Sequence, residues 1–437
     1  MRYTTNYDIG DRKRGQGINE DSLSLTIFEQ GHRDGYLGKT RGSGDGEEAD
    51  APKESEADAE AADEPEAEAT DGAETATEDT TAHGETPADD VAPSGAADSA
   101  VEAATEAAET PASDDEADDE EPGDETPEMP ANRSAGVFVL ADGAGGHDAG
   151  DVASYIATTV VAENLAPVAI NAVRSHPEEF DIDISPDVLP DTLGPEDIQT
   201  GLENAIIKAH REIIRYAGDS GTQSYTTVVA GVYADGQLHL GWVGDSRAYL
   251  VNDAREEIVS LTKDHAVVEE WADQGEIDSV EAHVHPDGNQ ITRALGGSGH
   301  EDPDRAMVDV DTRSVRLFAE DTVLATSDGL IDAQTDAPQL YQQYVDADRS
   351  EEMAATVREA VVTDAEIRDV VLGAESLDAA AGEYVRLANE RGGKDNISVL
   401  LFEDDTLPST PSGGVPVRAA DPDIDLSERD TVIITED

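Results

Sequence analysis

The sequence predicts an α+β protein built on antiparallel sheets, and three observations carry that prediction. Short strand-like runs cluster apart from helical stretches, without the regular βαβ alternation of a parallel sheet. An Asp-Gly pair, Asp235-Gly236, stands between two such runs in the pattern of a tight hairpin. A long block has the composition of no folded element at all, so the foldable part is read as one domain, 1–40 with 133–404, interrupted by an insertion at 41–132.

Strands are expected first at 22–28 and 136–141, apolar or alternating runs on either side of the insertion. A loop between neighbouring strands tolerates such an insertion, because closure entropy grows only by about 0.6 kcal/mol per doubling of length. A helix at 152–173, a Pro/Asp-rich loop at 175–196 and a helix at 197–216 follow. Next comes the hairpin, 225–234 and 237–242, joined by the Asp-Gly turn. Further strands are expected at 248–252, 315–318, 323–326 and 397–403, and helices at 265–274, 350–362 and 376–391. The segment 405–437, rich in Pro, Gly, Ser and Asp, reads as a flexible tail in which 431–435 could pair transiently.

Charge excludes several functions. Of 437 residues, 100 are Asp or Glu and 28 are Lys or Arg, a formal net charge of −72. Such a surface repels phosphate backbones and anionic lipid, so neither nucleic acid nor membrane is an expected partner. Residues 41–130 contribute 33 acids and 2 bases with almost no large apolar side chains, which predicts a disordered acidic insertion. Setting them aside leaves 67 acids against 26 bases, so the excess pervades the folded part. That pattern fits adaptation to high salt, where counterions screen self-repulsion; the plainer alternative is a surplus used for solubility. With no cysteine, disulfides, thiolate metal sites and cysteine nucleophiles are excluded. No apolar run is read as approaching the roughly 18 residues of a spanning helix, and 1–11 lacks a signal peptide's apolar core, so the expected location is cytoplasmic.

Against this acidic background a few aspartates stand apart, each at the end of a strand-like run or beside a glycine: Asp21, Asp142, Asp328 and Asp395, with Asp245 in Gly244-Asp-Ser-Arg as a fifth. Carboxylates converging at one end of a sheet repel unless a cation sits among them, and a hard dication with oxygen ligands, Mg²⁺ or Mn²⁺, suits them. Zinc lacks a Cys or paired-His pattern. Asp235-Gly236 is read as a turn only. Gly143 to Gly146 lacks the Lys-Ser/Thr of a phosphate loop, and His147 and His265, taken singly, are more often packing histidines than catalytic ones.

Read in order, Asn19-Glu-Asp-Ser, Ala141-Asp-Gly-Ala-Gly-Gly-His, Thr226-Thr, Gly244-Asp-Ser-Arg, Leu261-Thr-Lys-Asp-His, Ile291-Thr-Arg-Ala-Leu-Gly, Ser327-Asp-Gly-Leu and Lys394-Asp-Asn-Ile-Ser resemble the metal-dependent protein phosphatase family, type 2C. The resemblance implies an α-β-β-α sandwich, two antiparallel sheets flanked by helices, with a dimetal site at one end. It implies a serine/threonine protein phosphatase acting on phosphoproteins, opposed by a serine/threonine kinase. Two or three Mn²⁺ or Mg²⁺ ions would be held by Asp21, Asp142, the Gly143 carbonyl, Asp328 and Asp395, with Asp245 serving a third. Water bridging the metals would attack phosphorus in line. Residues 261–297 resemble the family's flap beside the site. The family's phosphate-binding Arg, five residues before the first-motif Asp, falls on Gln16, and Arg14, with Arg12 nearby, is the expected substitute. Ala144 stands where a general-acid His can occur, and His147 is the candidate stand-in. Rival readings are a pseudophosphatase and an interaction module on the same fold.

Overall fold

The computed structural model describes residues 1–14, 17–28, 134–144, 149–173, 193–298, 300, 302–412 and 418. The expected insertion at 41–132, Gln16, His147, and the tail at 413–417 and beyond 418 lie outside the described residues.

Two antiparallel sheets form the centre. One orders its strands β1 (Arg2–Asp8), β12 (Ile397–Glu403), β11 (Asp321–Thr326), β7 (Arg247–Asn252) and β8 (Glu257–Ser260). In the other, β10 (Asp311–Arg316), β6 (Gln237–Val243), β5 (Val228–Ala234) and β3 (Ala135–Ala144) are neighbours, and β2 (Asp21–Phe28) pairs with β3. The end of β3 pairs with β4 (Ser224–Thr226), which pairs in turn with β9 (Leu295–Gly297).

Strand periodicity shows how the layers stack, because successive side chains point to opposite faces. On β3, Val137 and Val139 join the cluster under the helices α1 (Gly150–Ala172) and α2 (Pro195–Ser220), while Phe138 and Leu140 join the cluster between the sheets. On β12, Leu400 and Phe402 face that same inner layer, whereas Ile397, Val399 and Leu401 pack with Ile367 and Tyr384 of α7 (Asp364–Gly373) and α8 (Leu377–Arg391). The order is helices, sheet, sheet, helices, as expected. A smaller cluster joins α4 (Ser279–Ala282), α5 (Ala337–Asp346) and α6 (Glu351–Ala360) beside α3 (Val267–Asp273).

Several elements escaped the sequence reading. β1 and β10 are edge strands with one partner each and largely polar sequences, and of β10 only Val315 joins the inner layer. β10 begins at Asp311, earlier than the expected 315–318 run, whose Leu317 lies past the strand and joins the inner layer while Phe318 is buried under Arg418. α5 and α7 were absent from the expected set. The run at 225–234 is two strands, broken at Thr227. The hairpin turn forms as expected, with Asp235 and Gly236 at φ 51° and 70°.

Two expectations need correcting. α1 is 23 residues long with a mean hydropathy of 1.2 over its most apolar window, long and apolar enough by composition to cross a membrane. Its Ala153, Ala157, Val161, Leu165 and Ala169, all at 0% exposure, form a stripe in the core beneath β3 and α2. The tail, expected to be flexible from Asp405, is tied down over its described part. Ala319 N–H donates to Pro408 O at 3.0 Å, Thr410 N–H to Glu320 Oε2 at 2.7 Å, and Asn252 Nδ2 to Thr410 Oγ1 at 2.9 Å. Arg418 is buried in an ion pair with Asp321, its guanidinium 5.3 Å from the Phe318 ring centroid.

Candidate active site

The antiparallel register of β2 and β3 sets Asp21 opposite Asp142. Both continue the inner-layer face of their strands, in phase with Leu23 and Leu140, so the carboxylates land at the open end of the space between the sheets. The Asp142 backbone is fixed by the strand break: its carbonyl accepts from Thr227 N–H and Thr226 Oγ1, each at 2.8 Å, and its N–H donates to Thr227 Oγ1 at 3.1 Å. Gly143 must be glycine, because a Cβ there would lie 2.2 Å from Gly150 O, where α1 begins.

The facing sheet supplies the rest. β11 leads into Ser327, whose hydroxyl donates to Asp21 Oδ2 at 2.8 Å and accepts from Ser398 N–H at 3.0 Å. The chain then turns through Asp328, and a Cβ on Gly329 would meet Asn396 O at 1.9 Å, so this acid-glycine pair requires its glycine for close approach to the next motif. Asn396 stitches the 9–20 loop to β12: its Oδ1 accepts from Glu20 N–H at 2.9 Å and its Nδ2 donates to Ile9 O at 3.1 Å. Asp395 and Asp245 complete the group from the loops before β12 and after β6.

The carboxylates feel one another. Burial is the largest influence on Asp21, Asp142, Asp245 and Asp328 and favours the neutral acid. It pushes Asp21 up to about 6 against the opposing hydroxyls of Ser398 and Ser327. Asp245 is raised to about 7 by burial and by the charges of Asp264 and Asp332. Asp142 is raised by burial, Asp21 and Asp328; Asp328 by burial, Asp245, Asp332 and Asp395. Asp332, four residues past Asp328, is likewise raised by burial. Asp21 Oδ1, Asp328 Oδ1 and Glu20 Oε1 are buried without a hydrogen-bond partner among the described residues. Orphaned oxygens on mutually repelling acids are costly unless a cation meets them. Among the described residues no three His, Asp or Glu side chains form a ready-made cage. The fit to hard cations therefore rests on the orphaned oxygens and the all-oxygen donor set.

Arg14 does not join this group. Its guanidinium pairs with Asp8 at 2.8 Å and Asp11 at 3.0 Å, with 55% of the side chain exposed. Lys13 is the base that enters: Nζ pairs with Asp395, stands 3.6 Å from Glu20 Oε2 and 3.4 Å from Asn396 Oδ1, and is held charged by these acids and by Asp142. Its loop is seated by Gly10, at φ 83°, whose missing side chain admits Asp395 O. Lys13, Glu20, Asp332, Ser327 and Asn396 are not among the residues expected at the site, although Glu20, Ser327 and Asn396 lie inside its motifs.

The 261–297 segment lies beside the cluster. A cavity of about 770 Å³ runs from Asp245, Asp328 and Asp332 past Arg247 and beneath α3 and α4. Arg247 grips Asp264 through Nε at 2.9 Å and Nη2 at 2.6 Å, and Arg293 pairs with Asp311 at 2.7 Å, so both arginines are committed within the protein.

The four layers, helices on either side of two sheets, bring buried acids together at one end. The family description Protein phosphatase 2C matches residues 124–361, more than half of the chain. The serine/threonine phosphatase stp of Listeria innocua is 31% identical over 270 residues, covering 61% of this chain and 84% of that protein. PhpP of Streptococcus pneumoniae is 28% identical over 265 residues, 61% of this chain and 84% of its own. Among solved structures, the catalytic domain of the phosphatase PstP in complex with two manganese ions is 26% identical, with a TM-score of 0.40, covering 62% of this chain and 86% of that one. The chain belongs to the protein phosphatase 2C family and is a protein phosphatase.

Proposed function

We propose that the protein hydrolyses phosphoserine and phosphothreonine in proteins with the help of two Mn²⁺ or Mg²⁺ ions. The observation that carries this reading is the convergence of Asp21, Asp142, Asp328 and Asp395 with orphaned, buried carboxylate oxygens at one end of the sandwich. Asp142 and the Gly143 carbonyl would hold the cations together with Asp21, Asp328 and Asp395, and Asp245, whose charge acts on Asp328, would serve a third. When bound, the ions supply a nucleophile from water near neutral pH and neutralise charge on the phosphoryl oxygens. The chain's own residues bind and orient. Ser327 fixes one oxygen of Asp21, leaving the other for a cation. Lys13 brings a positive charge to the cluster, where a phosphate oxygen can accept from its ammonium.

The test is turnover of an aryl phosphate and a phosphothreonine peptide by the full chain in high salt, with and without Mn²⁺. Activity that requires the cation and vanishes with chelator is expected; full activity in excess chelator overturns the reading. Tight Mn²⁺ binding without turnover would instead favour a binding module on the same fold.

A further inference from the structure

Behind Asp245 lies a buried histidine. His265, 5% exposed, lies in the Leu261-Thr-Lys-Asp-His motif at the start of the segment beside the site. It clasps Gly244 from both sides: the His265 backbone N–H donates to Gly244 O at 3.0 Å, and the Gly244 N–H donates to His265 Nδ1 at 3.0 Å. Gly244 is the residue before Asp245 and sits at φ 109°, a region open to glycine, with Thr227 so close that a Cβ would lie 2.6 Å from its side chain. Because Nδ1 accepts, the ring proton resides on Nε2. Nε2 faces Asp311 Oδ2 at 3.3 Å without a well-formed hydrogen bond, an electrostatic contact that also ties in Arg293. The imidazole lies at 15° to the Trp242 ring, and the His265 carbonyl accepts from Thr292 N–H at 2.6 Å. Beyond Asp245, Ser246 Oγ meets Thr227 Oγ1 at 2.7 Å, and Thr227 in turn holds Asp142.

We infer that His265 is a positioning residue for Asp245: by clasping Gly244 it makes the 261–292 segment set the place of that carboxylate. A cation-ligating acid on a left-handed turn needs such a strut, since a loop free to relax would give up the pre-arranged geometry that binding exploits. The inference rests on the proposed metal role of Asp245, but the clasp itself can be tested apart from it.

The experiment compares His265→Asn, His265→Gln and His265→Ala in the full chain. Asparagine places an acceptor oxygen where Nδ1 stood, whereas glutamine reaches toward Asp311 and leaves Gly244 without its acceptor. Amide exchange of the peptide containing Gly244 should quicken about fivefold to tenfold in the Gln and Ala variants and stay near wild type in Asn, the loss of one buried hydrogen bond. This arm needs no cation. In the second arm, Mn²⁺ titration followed by paramagnetic resonance of the free ion should show the weakest site about tenfold weaker in Gln than in Asn, with kcat lowered and KM for aryl phosphate within about twofold. Equal behaviour of Asn and Gln in the exchange arm overturns the clasp. Exchange as expected but equal Mn²⁺ affinities and equal kcat overturn the positioning role. Failure of wild type to bind Mn²⁺ overturns the proposed function instead and leaves the exchange result to decide the clasp. Should Ala not fold, the Asn and Gln pair decides.

Discussion

Strand β11 carries an aspartate near each end, and the two are treated in opposite ways. Asp321, at the start, is 2% exposed and fully served: Asn252 Nδ2 donates to Oδ1 at 2.7 Å, Phe318 N–H to Oδ2 at 2.8 Å, and Arg418 completes an ion pair. Asp328, just past the other end, has a buried oxygen without a partner among the described residues and is crowded by Asp245, Asp332 and Asp395. The first arrangement spends a scarce arginine to make a carboxylate structural. The second leaves a carboxylate dissatisfied, which is what a group reserved for a cation looks like.

Replacing one partner of a buried pair leaves the other charge stranded, so Arg418→Ala should lower unfolding stability by about 3 kcal/mol. Its kcat at a temperature where it remains folded should match wild type. Chemical denaturation with a parallel activity assay measures both, and a large loss of kcat in folded Arg418→Ala protein would break the contrast between the two ends. Asp328→Asn should do the reverse, lowering turnover at least about 10²-fold while the thermal midpoint holds or rises, because a repelled buried acid is removed. Wild-type turnover in that variant would end its proposed role.

Next in size is the base at the cluster. Lys13→Ala should lower kcat/KM for a phosphopeptide roughly ten- to a hundredfold, the worth of one charge-assisted hydrogen bond. Arg14→Ala, which removes only exposed ion pairs, should stay within about twofold. Steady-state kinetics with the two variants side by side decides; equal effects would return the phosphate contact to Arg14. The smallest effect is expected at an aspartate that belongs to neither class. Asp235→Asn preserves a turn that suits Asn-Gly as well, and it should change stability by less than about 0.5 kcal/mol and turnover not at all.

The motifs carrying Asp21, Asp142, Asp328 and Asp395 were legible because each couples an acid to a local requirement, a glycine or a strand end, that is written in neighbouring residues. Arg14 and Lys13 show the limit. Both lie in one basic run, and composition cannot say which turns inward; Gly10 and Gly17 set the loop so that Lys13 faces Asp395 and Arg14 faces Asp8. The start of the tail shows a related limit. A Pro/Gly/Ser/Asp-rich stretch has no internal reason to fold, and its described residues, 405–412 and 418, are held by partners far away in sequence, Glu320, Asn252 and Asp321.

By itself, the sequence determined the strand and helix periodicities of the core, the hairpin at Asp235-Gly236, the surplus of negative charge and five of the acids at the cluster, Asp21, Asp142, Asp245, Asp328 and Asp395, because these follow from local spacing and composition. Only the tertiary structure decided the edge strands β1 and β10, which base enters the cluster, which buried carboxylate is satisfied and which is left open, and the clasp of His265 on Gly244. Each of these depends on contacts between residues distant in the chain, and long-range pairing leaves no periodic trace in a single sequence.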